Sequence, residues 1–182
     1  MGFVTVLSRD PVLRTLLRSG EAPVAIPEGE RWLLILPTSQ NLTPAEDPLR
    51  AEDLRSLADD LGERVELVSV SGEPTAEEIA QAARAALSVD GVIVATLGLR
   101  ESEARRTLVG SALEWHPRTS VVLLGDPGEV GVLPRRDFTA IATYGYREVH
   151  RAALARLLRG EIEPQGRWPV PEEVRRAARL AP

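Results

Sequence analysis

Apolar residues along this chain come in short blocks that recur at regular intervals. Residues 32–36 (WLLIL), 92–96 (VIVAT) and 121–124 (VVLL) are almost continuously apolar. Such runs suit strands covered on both faces, as in a parallel sheet. Residues 65–70 (VELVSV) alternate instead, which predicts a strand nearer a sheet edge. Residues 138–143 complete a fifth strand, and residues 3–7 (FVTVL) read as an added edge strand.

Between these blocks the spacing becomes helical. Asp10-Pro11 starts a short helix through Leu16 and Leu17, and residues 19–31 form a loop. Asp47-Pro48 opens a helix with Leu54, Leu57, Ala58 and Leu61 on one face and Gly62 as its stop. Thr75 and Glu78 make a T-x-x-E capping box. The helix behind it buries Ile79, Ala82, Ala83, Ala86 and Leu87. A third helix spans about residues 102–115, with Ala104, Leu108, Ala112 and Trp115 aligned. A fourth aligns Val149, Ala153, Leu154, Leu157 and Leu158 and stops at Gly160 behind Arg156 and Arg159. Residues 172–180 read as a tail helix. Residues 125–136, rich in Gly and Pro, read as a loop without a helix.

The alternation predicts an α/β fold: a doubly wound, mostly parallel sheet of five or six strands with helices on both faces. Residues 1–31 form an N-terminal edge strand and linker-like segment, and residues 32–182 the α/β domain with an extended C-terminal arm. A complete TIM barrel is excluded, since it needs eight βα units and about 250 residues.

Composition narrows the picture. The net charge of −5 and the dispersed arginines argue against nucleic-acid binding. Cysteine is absent, which removes disulfides and thiolate chemistry. No apolar run approaches the roughly 20 residues of a membrane span. Charged residues near the start exclude a secretory signal, so a cytoplasmic location is expected. All 22 basic residues are arginine, a bias that a GC-rich genome explains better than a thermophilic one, because thermophile enrichment includes lysine.

Ligands of a doubly wound sheet bind beyond the C-terminal strand ends. The loop Thr38-Ser39-Gln40 there is rich in hydroxyls but lacks a phosphate-wrapping glycine. Asp126 and Glu129 are candidate acid/base carboxylates, although exposed loop positions are the default for such residues. Tyr144 and Tyr146 flank a turn in which Gly145 is expected to take positive φ; they suit ligand stacking or interface packing. His116 and His150 have no metal spacing, and neither a metal nor a cofactor is expected. No G-x-S-x-G elbow is present, and without lysine no P-loop can form.

One stretch carries a resemblance. A-T-Y-G-Y at 142–146, a helix, and then L-x-G-E-I-E-P-x-G-R-W-P-V at 158–170 resemble the end of the C-terminal α/β domain of family 3 glycoside hydrolases, nearest to the bacterial β-N-acetylglucosaminidase branch. Trp168 stands where the family usually has leucine. The resemblance implies a non-catalytic accessory domain that packs on a catalytic TIM barrel, in cis or in trans, and walls a carbohydrate site. The family's barrel motifs are absent, so no catalytic residue carries over. Thr38, Ser39, Asp126, Tyr144, Tyr146 and Trp168 are the candidate ligand or interface residues. A free-standing flavodoxin-like module for a small molecule or phosphate is the alternative.

Overall fold

The structure is a computed structural model that describes residues 17–19, 25–38, 51–134 and 138–163. Among the described residues six strands form one sheet: β1 (Leu17–Ser19), β2 (Trp32–Pro37), β3 (Val65–Val70), β4 (Gly91–Thr96), β5 (Thr119–Leu123) and β6 (Thr139–Ala142). Their spatial order is β1-β6-β5-β4-β2-β3. All neighbours from β6 through to β3 are parallel, and β1 pairs antiparallel with β6. Among the described residues, α1 (Ala51–Leu61), α2 (Ala76–Ala86) and α3 (Glu103–Trp115) connect successive strands, and α4 (Glu148–Leu158) follows β6. The doubly wound, mostly parallel sheet expected from the sequence is the one observed.

The parallel strands feed two cores. Leu34, Leu36, Ile93, Val122 and Ile141 face α1 and α4, where Leu57, Leu61, Leu154, Leu157 and Leu158 meet them. Leu33, Ile35, Val92, Val94, Val121 and Leu123 face the opposite way, onto Ala82, Ala86, Leu108, Val109 and Ala112 of α2 and α3. A strand buried on both faces favours apolar residues at successive positions, which is why these runs are nearly continuous in sequence; the polar exceptions are the hydroxyls of Thr96, Thr119, Ser120 and Thr139. β3 lies at the sheet edge, and its burial alternates as its sequence does.

The helix ends follow their local chemistry. Thr75 caps α2 by accepting from the Glu78 N–H at 3.2 Å, while the Glu78 carboxylate accepts from the Thr75 N–H at 2.7 Å. The Ser102 hydroxyl caps α3 by accepting from the Arg105 N–H at 3.1 Å, without the reciprocal carboxylate. Gly62 and Gly160, at φ +80 and +75, turn the chain out of α1 and α4.

Four expectations need correction. Leu17 does not end a helix and Ser19 does not begin a loop: both belong to β1, which at three residues is too short to show a period. Leu87 is 83% exposed rather than buried, because it is the C-cap of α2, where the chain leaves the helical face. Val149, in the first turn of α4, also projects to solvent, ahead of the point where α4 meets the sheet. Residues Pro127–Val132 form a 3-10 helix rather than a plain loop. The expected strand at 3–7, the start of the second helix, the arm beyond residue 163 and the tail helix lie outside the described residues.

The amino end of the sheet is closed by side chains. Arg118, just before β5, forms a two-point ion pair with Glu30 at 2.8 and 2.9 Å and lies over the Trp32 ring. Glu30 also accepts from the Trp32 indole N–H at 3.0 Å, and these hydrogen bonds, led by that from Arg118, hold its carboxyl below the usual range. The carboxyl end is built differently.

Candidate functional site

At the carboxyl end, the segments leaving β4, β5 and β6 surround a cleft of about 640 Å³. Small-molecule sites commonly fall within about 300–1,000 Å³. The β4–α3 loop contributes Leu97, Gly98, Arg100 and Glu101. The segment after β5 contributes Gly125, Asp126, Pro127 and Glu129, and the turn after β6 contributes Tyr144, Gly145 and Tyr146.

The β4–α3 loop is held from both sides. Arg105 of α3 donates to the carbonyls of Leu97 and Gly98 at 2.8 and 3.1 Å, and Arg106 donates to those of Leu99 and Arg100 at 2.7 and 3.1 Å. With its carbonyls drawn to α3, the loop's Leu99 N–H points the other way and donates to Glu129 Oε1 at 2.7 Å.

Glu129 was expected on a solvated loop; it is 3% exposed instead. The 3-10 helix accounts for this. Asp126 accepts from the Gly128 N–H at 2.7 Å and Pro127 occupies the first turn, which swings Glu129 inward beneath the β4–α3 loop. Asp-Pro was the usable signal, the same pair read as a helix start elsewhere in the chain. Glu129 Oε2 is buried and has no hydrogen-bond partner among the described residues. Burial pushes the Glu129 carboxyl up from its ordinary value, and the negative charges of Glu101 and Asp126 add to this. The Leu99 N–H and Arg100 act in the opposite direction.

Asp126 itself is exposed, with Arg100 3.9 Å away across the cleft mouth. Arg100 also donates to the Gly128 carbonyl at 2.8 Å. Tyr144 stands at the lip, 36% exposed, its phenol pushed up to about 12 by burial and then by Asp126. Tyr146 is more buried and packs against the α1/α4 core.

The turn inverts the expected geometry. Tyr144, not Gly145, takes positive φ, at 55°. A bulky residue is uncommon there and costs about 1–2 kcal/mol. Gly145 is needed for space: a Cβ there would meet the His150 ring at 2.7 Å. The Thr143 hydroxyl donates to the Gly145 carbonyl at 2.6 Å and fixes the turn.

The structure thus brings Asp126, Tyr144 and Tyr146 together around one cleft. Thr38 is not part of it, since its hydroxyl and N–H both donate to the Val70 carbonyl, at 3.0 and 2.8 Å. Ser39 and Trp168 lie outside the described residues. His116 follows α3 and accepts from the Arg118 N–H at 3.1 Å. Among the described residues no cluster of three or more His, Cys, Asp or Glu could hold a metal ion, and no helix is long and apolar enough to cross a membrane.

No known sequence family matches the chain, and no curated protein does. Solved structures do. A glycoside hydrolase family 3 β-N-acetylglucosaminidase from Paenibacillus sp. str. FPU-7 superposes with a TM-score of 0.74 at 23% identity, over 86% of this chain and 30% of that one. The chain has the fold of one part of a family 3 glycoside hydrolase. A fungal multi-domain β-N-acetylglucosaminidase of the same family matches at TM-score 0.63 and 21% identity, over 85% of this chain and 18% of that one. A β-glucosidase from Listeria innocua matches at 0.62 and 16%, over 85% and 25%. The chain therefore spans less than a third of each hydrolase chain whose fold it shares.

Proposed function

We propose that this chain is a C-terminal accessory domain of a family 3 glycoside hydrolase of β-N-acetylglucosaminidase type. It is non-catalytic alone and packs on a catalytic TIM barrel, in cis or in trans, in the cytoplasm. The observation that carries this reading is the TM-score of 0.74 over 86% of the chain against only 30% of such an enzyme. The closing segment from Gly160 to Val170 adds a sequence resemblance at the position where that domain ends. The cleft end of the sheet supplies a surface for the role: Val132, Tyr144 and Val149, all exposed, follow β5 and β6 there. In this position the face would steady the barrel's loops and wall one side of a carbohydrate site.

Two measurements test the proposal. An antibody to the domain should detect a native polypeptide, or a stable complex, heavy enough to include a barrel of about 250 residues. The purified 182-residue chain should leave an aryl N-acetylglucosaminide intact. A free monomer in the source cells, or hydrolysis by the chain alone at enzyme-like rates, would overturn the accessory role.

One observation favours a second reading. Counted along the chain, the parallel strands take the order 2-1-3-4-5 of flavodoxin-like sheets, whose ligands sit where the order reverses. Here that point lies between β2 and β4. The Thr38 hydroxyl beside it is already used by the Val70 carbonyl, which weakens the reading. A flavin absorbance band in the purified protein would revive it.

A further inference from the structure

β1 runs against the other five strands of the sheet. β6 ends at the cleft, so its antiparallel neighbour starts there. Leu17 lies level with Ala142, two residues before Tyr144, and Ser19 lies level with Ala140. At about 3.3 Å per residue, the start of β1 is roughly 7 Å from the Tyr144 turn along the strand axis. The polypeptide that leads into Leu17 therefore arrives at the cleft end, beside that turn. Sixteen residues precede Leu17. Fully extended they could span about 53 Å, so reach alone does not decide which end they serve. What already occupies each end does. The amino end is crossed by the chain's own residues 25–31. There the Ile26 N–H donates to the Leu158 carbonyl at 2.7 Å, Arg31 and Asp90 exchange two hydrogen bonds at 2.7 and 2.9 Å, and Glu30 holds Arg118. Among the exposed large apolar side chains of the described residues, Leu87 stands at the amino end, whereas Val132, Tyr144 and Val149 follow β5 and β6 at the other.

We propose that β1 is the anchor that holds a catalytic barrel preceding this chain over the cleft end, with Tyr144 in the contact. The inference rests on the accessory role and adds to it the side of attachment and the element that sets it. Three successive pairings, Leu17 to Ala142, Arg18 to Ile141 and Ser19 to Ala140, fix the direction and register of β1. A connection pinned at three residues cannot swivel as a free tether does. Anchoring it beside the contact surface lowers the ordering cost that the interface itself must meet, and keeps the two partners at high effective concentration. The exposed apolar groups next to the anchor are the surface that docking buries.

The test is photo-cross-linking in the native assembly, with benzoylphenylalanine in place of Tyr144 in one variant and of Leu87 in another. Mass spectrometry of the cross-linked peptides should find barrel sequence joined at position 144 and none at position 87. Joining at 87 alone, at both positions equally, or at neither would overturn the placement. The anchor is tested separately with Leu17→Pro and Arg18→Pro together. Successive residues of a strand point their N–H groups to opposite sides, so one of the two prolines removes a donor to β6. The pair should abolish most of the cross-linking at position 144 while the mass of the native polypeptide stays the same. Cross-linking at the parent's yield would remove β1 as the anchor. Urea unfolding of the 182-residue chain with both prolines should remain a single cooperative transition. If that transition is lost, the comparison of positions 144 and 87, made without the prolines, still decides the side of attachment. A native species with no barrel in it would instead overturn the accessory role, and this inference with it, before any cross-link is read.

Discussion

At the scale of single residues, the turn after β6 carries local costs of its own. Tyr144 holds positive φ, and Gly145 is pressed against His150. Burial, reinforced by Arg147, holds the His150 imidazole below its ordinary pKa, so it packs as a neutral ring. Gly145→Ala should therefore destabilise the fold by about 1–3 kcal/mol, the usual range for overpacking. Adding His150→Ala should return part of the loss, and urea unfolding of the single and double variants would show it. A Gly145→Ala variant as stable as the parent would remove the steric account of that glycine.

Glu129 makes a second prediction at this scale, with a defined sign. Its folded pKa is raised above the unfolded value. The folded state therefore holds the proton more tightly. This contribution is fully present below the unfolded pKa, near 4.3, and is lost as pH rises through the folded one. Glu129→Gln is neutral at every pH and escapes the loss. It should be more stable than the parent at about pH 7, and the advantage should shrink towards about pH 4. Chemical denaturation at the two pH values reads the difference directly. A variant less stable than the parent at neutral pH would mean that the ionised carboxylate contributes more through Leu99 than its burial costs.

At the scale of elements, the capping box on α2 is the clearest case of sequence dictating structure. Glu78 accepts from Thr75 N–H, from Ser71 N–H at 2.7 Å and from the Ser71 hydroxyl at 2.9 Å. Burial alone would raise its pKa, but these hydrogen bonds together leave it lowered. Thr75→Ala should cost about 1 kcal/mol, the usual price of a lost N-cap, visible as a lower urea midpoint with an unchanged slope. A change within error would show that Ser71 and Glu78 suffice to start the helix. The same scale shows what could be read in advance. The runs at β2, β4 and β5 were legible because two-sided burial favours apolar residues at successive positions. β3 was legible because an edge strand keeps its alternation. β1 was not, since three residues carry no period. The burial of Glu129 was missed for a different reason: it is decided by where the 3-10 helix docks under the β4–α3 loop, a tertiary contact that loop composition does not encode. The Tyr144 turn was misread because the glycine was assigned the unusual φ, when steric room beside His150 was what it supplied.

At the scale of the whole molecule, the two ends of the sheet differ in what they expose. At the amino end Glu30, Trp32 and Arg118 pair with one another, and Leu87, at the end of α2, is exposed. The cleft end leaves Val132, Tyr144 and Val149 at 38%, 36% and 51% exposure. Single exposed apolar residues are ordinary, but three following adjacent strands at one end favour that end as the surface that meets the proposed catalytic barrel. Val132→Asp combined with Val149→Asp should then leave the isolated chain's stability within about 0.5 kcal/mol, as expected for exposed sites. The same pair should break association with the barrel, because a docked interface would bury both new charges without partners. Size-exclusion chromatography of the native assembly, with thermal unfolding of the isolated chain beside it, separates the two effects. Should the double variant still elute with its partner, the contact would instead belong to the closing segment around Trp168, and the exposed valines would owe their position to the cleft alone.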